Sequence, residues 1–188
     1  APYVLLLNTD MYFEPAEQCV ARMVAFMQEN PDCGVAGCRI YRADGGYAHP
    51  ARRHPTIPVI LARRFGMARL LRTSIDNYLY RERRSTESFD CEWLSGCFML
   101  VRRDAIADVG HFDTQFVKYF EDVDFCLRMT RAGWRVMFHG GTSCYHVEQG
   151  ASRQFLSRDA YRHGMSYLRW LRKWGPAPSF QASRTQAA

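Results

Sequence analysis

Five consecutive apolar residues, Tyr3-Val4-Leu5-Leu6-Leu7, end abruptly in the turn-forming Asn8-Thr9-Asp10. An uninterrupted apolar run reads as a strand buried on both faces, as in a parallel sheet, since a half-solvated strand would alternate with polar residues. Pro15 then suits the first turn of a helix over 15–28, with Val20, Met23, Val24 and Met27 as its apolar stripe. Asn30-Pro31-Asp32 stops that helix. Residues 34–41 read as a second strand and Asp44-Gly45-Gly46 as a tight turn. Strand, helix, strand opens an α/β layer architecture.

Beyond that unit the pattern is interrupted. Pro50, Pro55 and Pro58 break early regularity, and 58–71 suits a basic amphipathic helix. We read 42–88 as a basic insertion crossing the face of the sheet. Residues 97–101 form a further strand, and 104–109 a short helix with Asp104 near its start and Gly110 just past its end. Residues 134–138 and 143–147 read as two short strands, and 153–174 as a basic, aromatic helix. The expected organisation is one α/β unit over 1–150 followed by a basic aromatic tail over 151–188, with no internal repeat.

With 188 residues, 47% of them hydrophobic and 23% charged, the chain can bury one sizeable core and is not disordered. It opens on Ala1 and runs directly into a strand, which suggests a piece of a longer polypeptide. Seven cysteines in apolar contexts suggest buried, reduced thiols and a cytoplasmic setting, and Cys33/Cys38 and Cys91/Cys97 are spaced too widely for a zinc knuckle. The net charge of +6 is segmental: −3 over 1–40, +7 over 41–84, −4 over 85–150 and +6 over 151–188. Acidic segments suit a divalent cation, and basic ones suit phosphates or an anionic membrane; solvated surface is the plainer alternative. No nucleic-acid reader motif accompanies the basic blocks, so nucleic acid is not an expected partner.

The densest chemical signal is Tyr119-Phe120-Glu121-Asp122-Val123-Asp124-Phe125-Cys126-Leu127. Phe120, Val123, Cys126 and Leu127 trace one helical face, so this stretch predicts an acidic helix over 121–132 closed by Gly133. The acids occupy its first turn, where unpaired amides favour negative charge. An ordinary acidic N-terminus would need nothing more, but Asn8-Thr9-Asp10 and His146 tip the balance toward a catalytic carboxylate. Asp10, at the carboxyl end of its strand, is suited to a hard cation that also takes phosphate oxygens. Asp122 is suited to accept a proton from a bound hydroxyl. His146 follows a strand, where a lone histidine is more often a packed core residue.

Taken in order, these pieces resemble the C-terminal half of a family 2 glycosyltransferase with the GT-A fold. The matching segments are Leu5-Leu6-Leu7-Asn8-Thr9-Asp10, Trp93-Leu94-Ser95-Gly96-Cys97-Phe98-Met99-Leu100-Val101-Arg102-Arg103, Val109-Gly110-His111-Phe112-Asp113, Tyr119-Phe120-Glu121-Asp122-Val123-Asp124, Arg131-Ala132-Gly133-Trp134 and His146. Arg53-His54-Pro55-Thr56 and the basic aromatic tail look most like the rhamnosyltransferase branch of bacterial cell-surface polysaccharide synthesis. The resemblance implies a mixed, Rossmann-like sheet with flanking helices, lacking the N-terminal nucleotide-binding strands. It makes Asp10 the last residue of a DxD-type metal motif whose first acid is replaced by Asn8, with His146 completing a Mg²⁺ or Mn²⁺ site. It makes Asp122 the catalytic base and gives Glu121 a positioning role beside it. Trp93, Ser95 and Gly96 match the wall where donor sugar and acceptor meet. Asn8 and Asp124 are also expected to contact donor or acceptor, although Asp124 stands four residues before Arg128 and suits a helix ion pair equally well.

The implied activity is inverting transfer of a sugar, rhamnose in that branch, from a nucleotide-diphospho-sugar to a glycan or lipid-linked acceptor. Peripheral contact with the inner face of the cytoplasmic membrane and self-association are further expectations. Two other readings compete: a non-catalytic remnant that binds a partner or membrane through its basic segments, and a metal-dependent hydrolase. In the tail, Arg153, Arg158, Arg162, Arg169, Arg172 and Lys173 accompany Phe155, Tyr161, Tyr167, Trp170 and Trp174. That mixture fits either a membrane interface or a helix packed back on its own domain.

Overall fold

The computed structural model describes residues 1–64, 66–67, 69–147, 158–176 and 178. In chain order its strands are β1 (Tyr3–Leu7), β2 (Met11–Tyr12), β3 (Cys33–Arg42), β4 (Ala51–Arg52), β5 (Phe89–Asp90), β6 (Trp93–Leu94), β7 (Phe98–Arg102) and β8 (Arg135–His146). The helices are α1 (Cys19–Glu29), α2 (Ile57–Arg64), α3 (Arg72–Tyr78), α4 (Arg103–Val109), α5 (Glu121–Arg131) and α6 (Arg158–Trp174).

The main sheet runs β1-β7-β3-β8-β2, with β5 also paired to β8. β7 is antiparallel to both β1 and β3, whereas β3 and β8 are parallel, so the sheet is mixed as expected. Side chains of a strand alternate between faces, and here the alternation separates two cores. Val35, Met99, Val101, Val136 and Phe138 face the core shared with α5 and α6. Ala36, Phe98, Leu100, Met137 and Cys144 face the core shared with α1. The acidic helix buries the side that its spacing predicts: Phe120, Val123, Cys126 and Leu127 all belong to the first of these cores.

Several expectations need correction. β1 is not buried on both faces: among the described residues it pairs with β7 alone, and Val4 and Leu7 stay 37% and 41% exposed. Its apolar run reports a sheet environment, not its rank within the sheet. The helix expected over 15–28 is split, because Pro15–Glu17 is a 3₁₀ turn and Gln18 adopts φ 45° before α1 begins. The two strands expected over 134–147 are one, β8, whose pairing with β3 jumps from Cys38↔His139 to Arg39↔Ser143. Gly140 lies inside that jump, where a Cβ would stand 2.3 Å from the Thr86 carbonyl carbon, so only glycine lets the backbones approach.

The helix expected over 58–71 ends at Arg64. Within the 42–88 region β4 pairs with β6, and Val59, Tyr78 and Tyr80 join Trp93 and Trp170 in the core beneath α6. All seven cysteines are free, and six are buried. Among the described residues no helix is long and apolar enough to cross a membrane. The tail helix is described from Arg158; Arg153 and Phe155 lie outside the described residues.

Candidate active site

The turn after β1 is closed from two sides. The Asn8 amide donates to the Cys97 carbonyl at 3.0 Å and the Met11 amide to the Asn8 carbonyl at 3.3 Å. β2 then pairs antiparallel with the end of β8, placing Met11 opposite His146, while the Val147 amide donates to the Asp10 carbonyl at 2.9 Å. This pairing brings together side chains 136 residues apart: His146 Nε2 lies 3.1 Å from Asp10 Oδ1. Asn8 Nδ2 stands 3.5 Å from the same ring nitrogen. The imidazole is buried, whereas the Asp10 side chain keeps 39% of its surface.

The Asp10 carboxylate suits a hard cation such as Mg²⁺ or Mn²⁺, and the imidazole nitrogen beside it adds a ligand of the softer kind. Their 3.1 Å separation is that of a hydrogen bond and keeps both atoms within reach of one ion. Among the described residues no third histidine, cysteine or carboxylate joins this pair within 4.8 Å. Two protein ligands leave room for water and phosphate oxygens, as is usual for Mg²⁺.

The 95–97 turn connects this pair to the second carboxylate. Cys97 accepts from Asn8 on one side, and on the other the Gly96 amide donates to Asp122 Oδ2 at 3.0 Å. The Val123 amide donates to Asp122 Oδ1 at 2.9 Å. Both oxygens of Asp122 are thus fixed by backbone, one from its own helix and one from the turn next to Asn8. Burial raises the Asp122 pKa, opposed by the two amides and by the Arg52 guanidinium.

The approach to this carboxylate is strained. Tyr119 and Phe120 adopt φ 68° and 70°, consecutive left-handed conformations in bulky residues. Such positions cost about 1–3 kcal/mol each and persist only where packing over-determines them. Here Phe120 is buried, with ring centroids 5.5 Å from Tyr167 and 6.0 Å from Trp170 on α6. Glu121 follows, and its Oε2 is buried without a hydrogen-bond partner. Burial first, and then the neighbouring Asp122 charge, push the Glu121 pKa up to about 7.

Trp93 is buried, and its indole N–H donates to the Arg53 carbonyl at 2.7 Å, so it supports the β4–β6 pair that frames the site. The Ser95 amide donates to the Pro50 carbonyl at 2.9 Å, which fixes the base of the 95–97 turn. Asp124 stands apart from the exposed surface. It is fully buried and receives Arg128 Nε at 2.9 Å, Lys173 Nζ at 2.7 Å and the Trp174 indole N–H at 2.7 Å. Its oxygens therefore clamp α6 onto α5, as the alternative helix-pair reading has it, with two partners from the tail that spacing within one helix does not reveal.

Sequence reasoning missed Arg52, whose guanidinium lies 4.9 Å from the Trp93 ring centroid and whose charge reaches Asp122. Its only sequence signal is membership of the basic block beside Arg53-His54-Pro55-Thr56. A separate cluster, Cys19, Cys38 and Cys144, has sulfur separations of 3.7 and 3.5 Å across the buried α1 face of the sheet. It lies in the second core, with no carboxylate or histidine among its ligand atoms.

Comparison with known proteins is consistent with this geometry. A family model described as glycosyl transferase family group 2 matches residues 3–181. The N-acetylglucosaminyl-diphospho-decaprenol L-rhamnosyltransferase of Mycobacterium tuberculosis is 28% identical over 172 residues, covering 88% of this chain and 54% of that protein. The rhamnosyltransferase WbbL of Escherichia coli K12 is 35% identical over 80 residues, 43% of this chain and 30% of that protein. The chain spans about half the length, or less, of these curated relatives.

Proposed function

The chain belongs to the family 2 glycosyltransferases, as a mixed-sheet GT-A domain, and from that premise we propose that it carries the base and cation-binding residues of an inverting rhamnosyl transfer. The observation that carries this reading is the shared 95–97 turn, which holds Asp122 by the Gly96 amide and the Asn8–Asp10 turn by the Cys97 carbonyl. Holding both segments on one turn supports reading Asp122 as a base beside a phosphate-side cation site, the positioning that transfer from a nucleotide-diphospho-sugar requires.

Asp122 takes the proton of the acceptor hydroxyl as its oxygen attacks the anomeric carbon. The bond from that carbon to the diphosphate oxygen breaks, the nucleoside diphosphate leaves with the electron pair, and one displacement inverts the anomeric configuration. A divalent cation held by Asp10 and His146, with Asn8 beside them, would supply positive charge toward the diphosphate. Glu121, with its pKa pushed up to about 7, is only partly ionised at neutral pH, which limits the negative charge beside Asp122. Trp93 and the Ser95-Gly96 backbone support the wall against which the sugar lies.

The names of both relatives support rhamnose as the transferred sugar, and that of the mycobacterial one supports a diphospho-decaprenol-linked sugar as the acceptor. Such an acceptor would be presented at the cytoplasmic face of a membrane. The test is Asp122→Asn in an enzyme containing this chain. The amide keeps the size of the side chain but cannot take the proton. Turnover should fall by roughly 10²–10⁴-fold, while binding of the nucleotide-sugar, followed by calorimetry, persists. Near-normal turnover would reassign Asp122 to structure.

A further inference from the structure

α6 is amphipathic, and among the described residues only its inner face is packed by the fold. Its inner face buries Ser166, Tyr167 and Trp170, and Lys173 and Trp174 reach Asp124. At roughly 100° per residue, Tyr161, Met165, Leu168 and Arg172 fall on the opposite side, with Arg158, Arg162 and Arg169 along one flank of that strip. Tyr161 is 71% and Leu168 59% exposed, values far above those of ordinary packed aromatics and leucines. Beside them α2 presents Ile57, Ile60 and Leu61, and together with Tyr161, Met165 and Leu168 these line an open groove of about 460 Å³. Arg158, Arg162, Arg169 and Arg172 are all exposed, and among the described residues only Arg162 has an ion-pair partner, Asp159 at 3.6 Å.

We propose that the α2–α6 groove, edged by the arginines of α6, is a docking face for an anionic lipid bilayer. An apolar strip flanked by cations is the composition that seats a helix at the headgroup boundary, with the aliphatic and aromatic groups in the acyl margin and the guanidinium groups on lipid phosphates. Charge selects this occupant over a second copy of the chain, because a self-complementary contact here would set four arginines against four arginines. The location also serves the chemistry. The inner face of α6 packs on Phe120, the residue immediately before Glu121 and Asp122. One helix diameter, about 10 Å, therefore separates the docking face from the carboxylate-bearing turn. This deepens the proposed function by naming the surface at which a lipid-linked acceptor is met; the docking itself is measured without catalysis.

The experiment is co-sedimentation of the full chain with phosphatidylcholine vesicles, with and without about 30% phosphatidylglycerol, at low and high salt. Binding should require the anionic lipid and weaken as salt rises. The triple variant Arg158→Gln, Arg169→Gln, Arg172→Gln should weaken partitioning roughly 100-fold. Tyr161→Ser with Leu168→Ser should also weaken it, whereas Arg103→Gln, an exposed cation on α4, should not. All these positions are exposed, and unchanged circular dichroism confirms that the variants fold. Equal binding to neutral vesicles, no binding, or variants that bind like the parent would overturn the proposal. So would a stable dimer in solution that Leu168→Ser dissociates, since that would give the groove to a second copy. Vesicle binding without any sugar transfer would sink the transferase chemistry and leave the docking face standing; transfer to a soluble acceptor without vesicle binding would do the reverse.

Discussion

Replacing Glu121 by glutamine should stabilise the protein near pH 8 and leave it almost unchanged near pH 4. The reason lies in the buried first turn of α5, where Glu121 Oε2 has no hydrogen-bond partner and Asp122 is its immediate neighbour. Its pKa rises from the ordinary 4.5 to about 7, through burial first and the Asp122 charge second. Below 4.5 both the folded and unfolded chains hold the proton, and the charge costs nothing. Between 4.5 and 7 the unfolded chain ionises while the folded chain keeps its proton, so folding binds more protons and stability falls as pH rises. Above 7 the whole penalty is present, on the order of 1–2 kcal/mol once solvent screening of this half-buried side chain is discounted.

Glutamine cannot ionise, so the variant should lose this slope and gain up to that amount at the alkaline end. Urea unfolding of parent and variant across this pH range reads the difference directly. Repeating the pair in an Asp122→Asn background should shrink the gain, because the neighbouring charge is one of the two causes. A gain independent of pH, or a variant less stable than the parent near pH 8, would refute the reasoning and indicate that the Glu121 carboxylate is satisfied in the folded protein.

The remaining expectations concern the cation pair and the clamp on α6. Mn²⁺ binding, followed by electron paramagnetic resonance, should weaken at least tenfold on Asp10→Ala or His146→Ala; unchanged binding in both would remove the cation from this turn. Asp124→Ala leaves Lys173 without its buried partner and frees Arg128 and the Trp174 indole. Because Lys173 keeps Asp113 at 2.7 Å and Arg128 keeps the Val109 and His111 carbonyls, it should cost about 1–3 kcal/mol in urea unfolding, and a negligible loss would show that apolar packing alone holds α6.

Local patterns in the sequence determined much of this protein. The apolar run of β1, the stripe of α1 and the spacing of Phe120, Val123, Cys126 and Leu127 each report which side of an element meets a core, because periodicity depends only on backbone geometry. The resemblance carried by Asn8-Thr9-Asp10, Glu121-Asp122 and His146 located the candidate chemistry for the same reason: those residue types follow strand and helix ends that the sequence marks. Rank and partnership are different quantities. That β1 pairs antiparallel with β7, that β8 runs unbroken past Gly140, and that Asp10 meets His146 across 136 residues all follow from strand pairings closed far away in the chain. The environment of each acid was likewise decided in three dimensions. Asp122, Glu121 and Asp124 lie within four residues, yet one is held by the Gly96 amide, one has a buried Oε2 with no hydrogen-bond partner among the described residues, and one clamps Lys173 and Trp174. Their identical charge in sequence becomes three different roles because desolvation and hydrogen bonding depend on what the distant turns and α6 place beside each carboxylate.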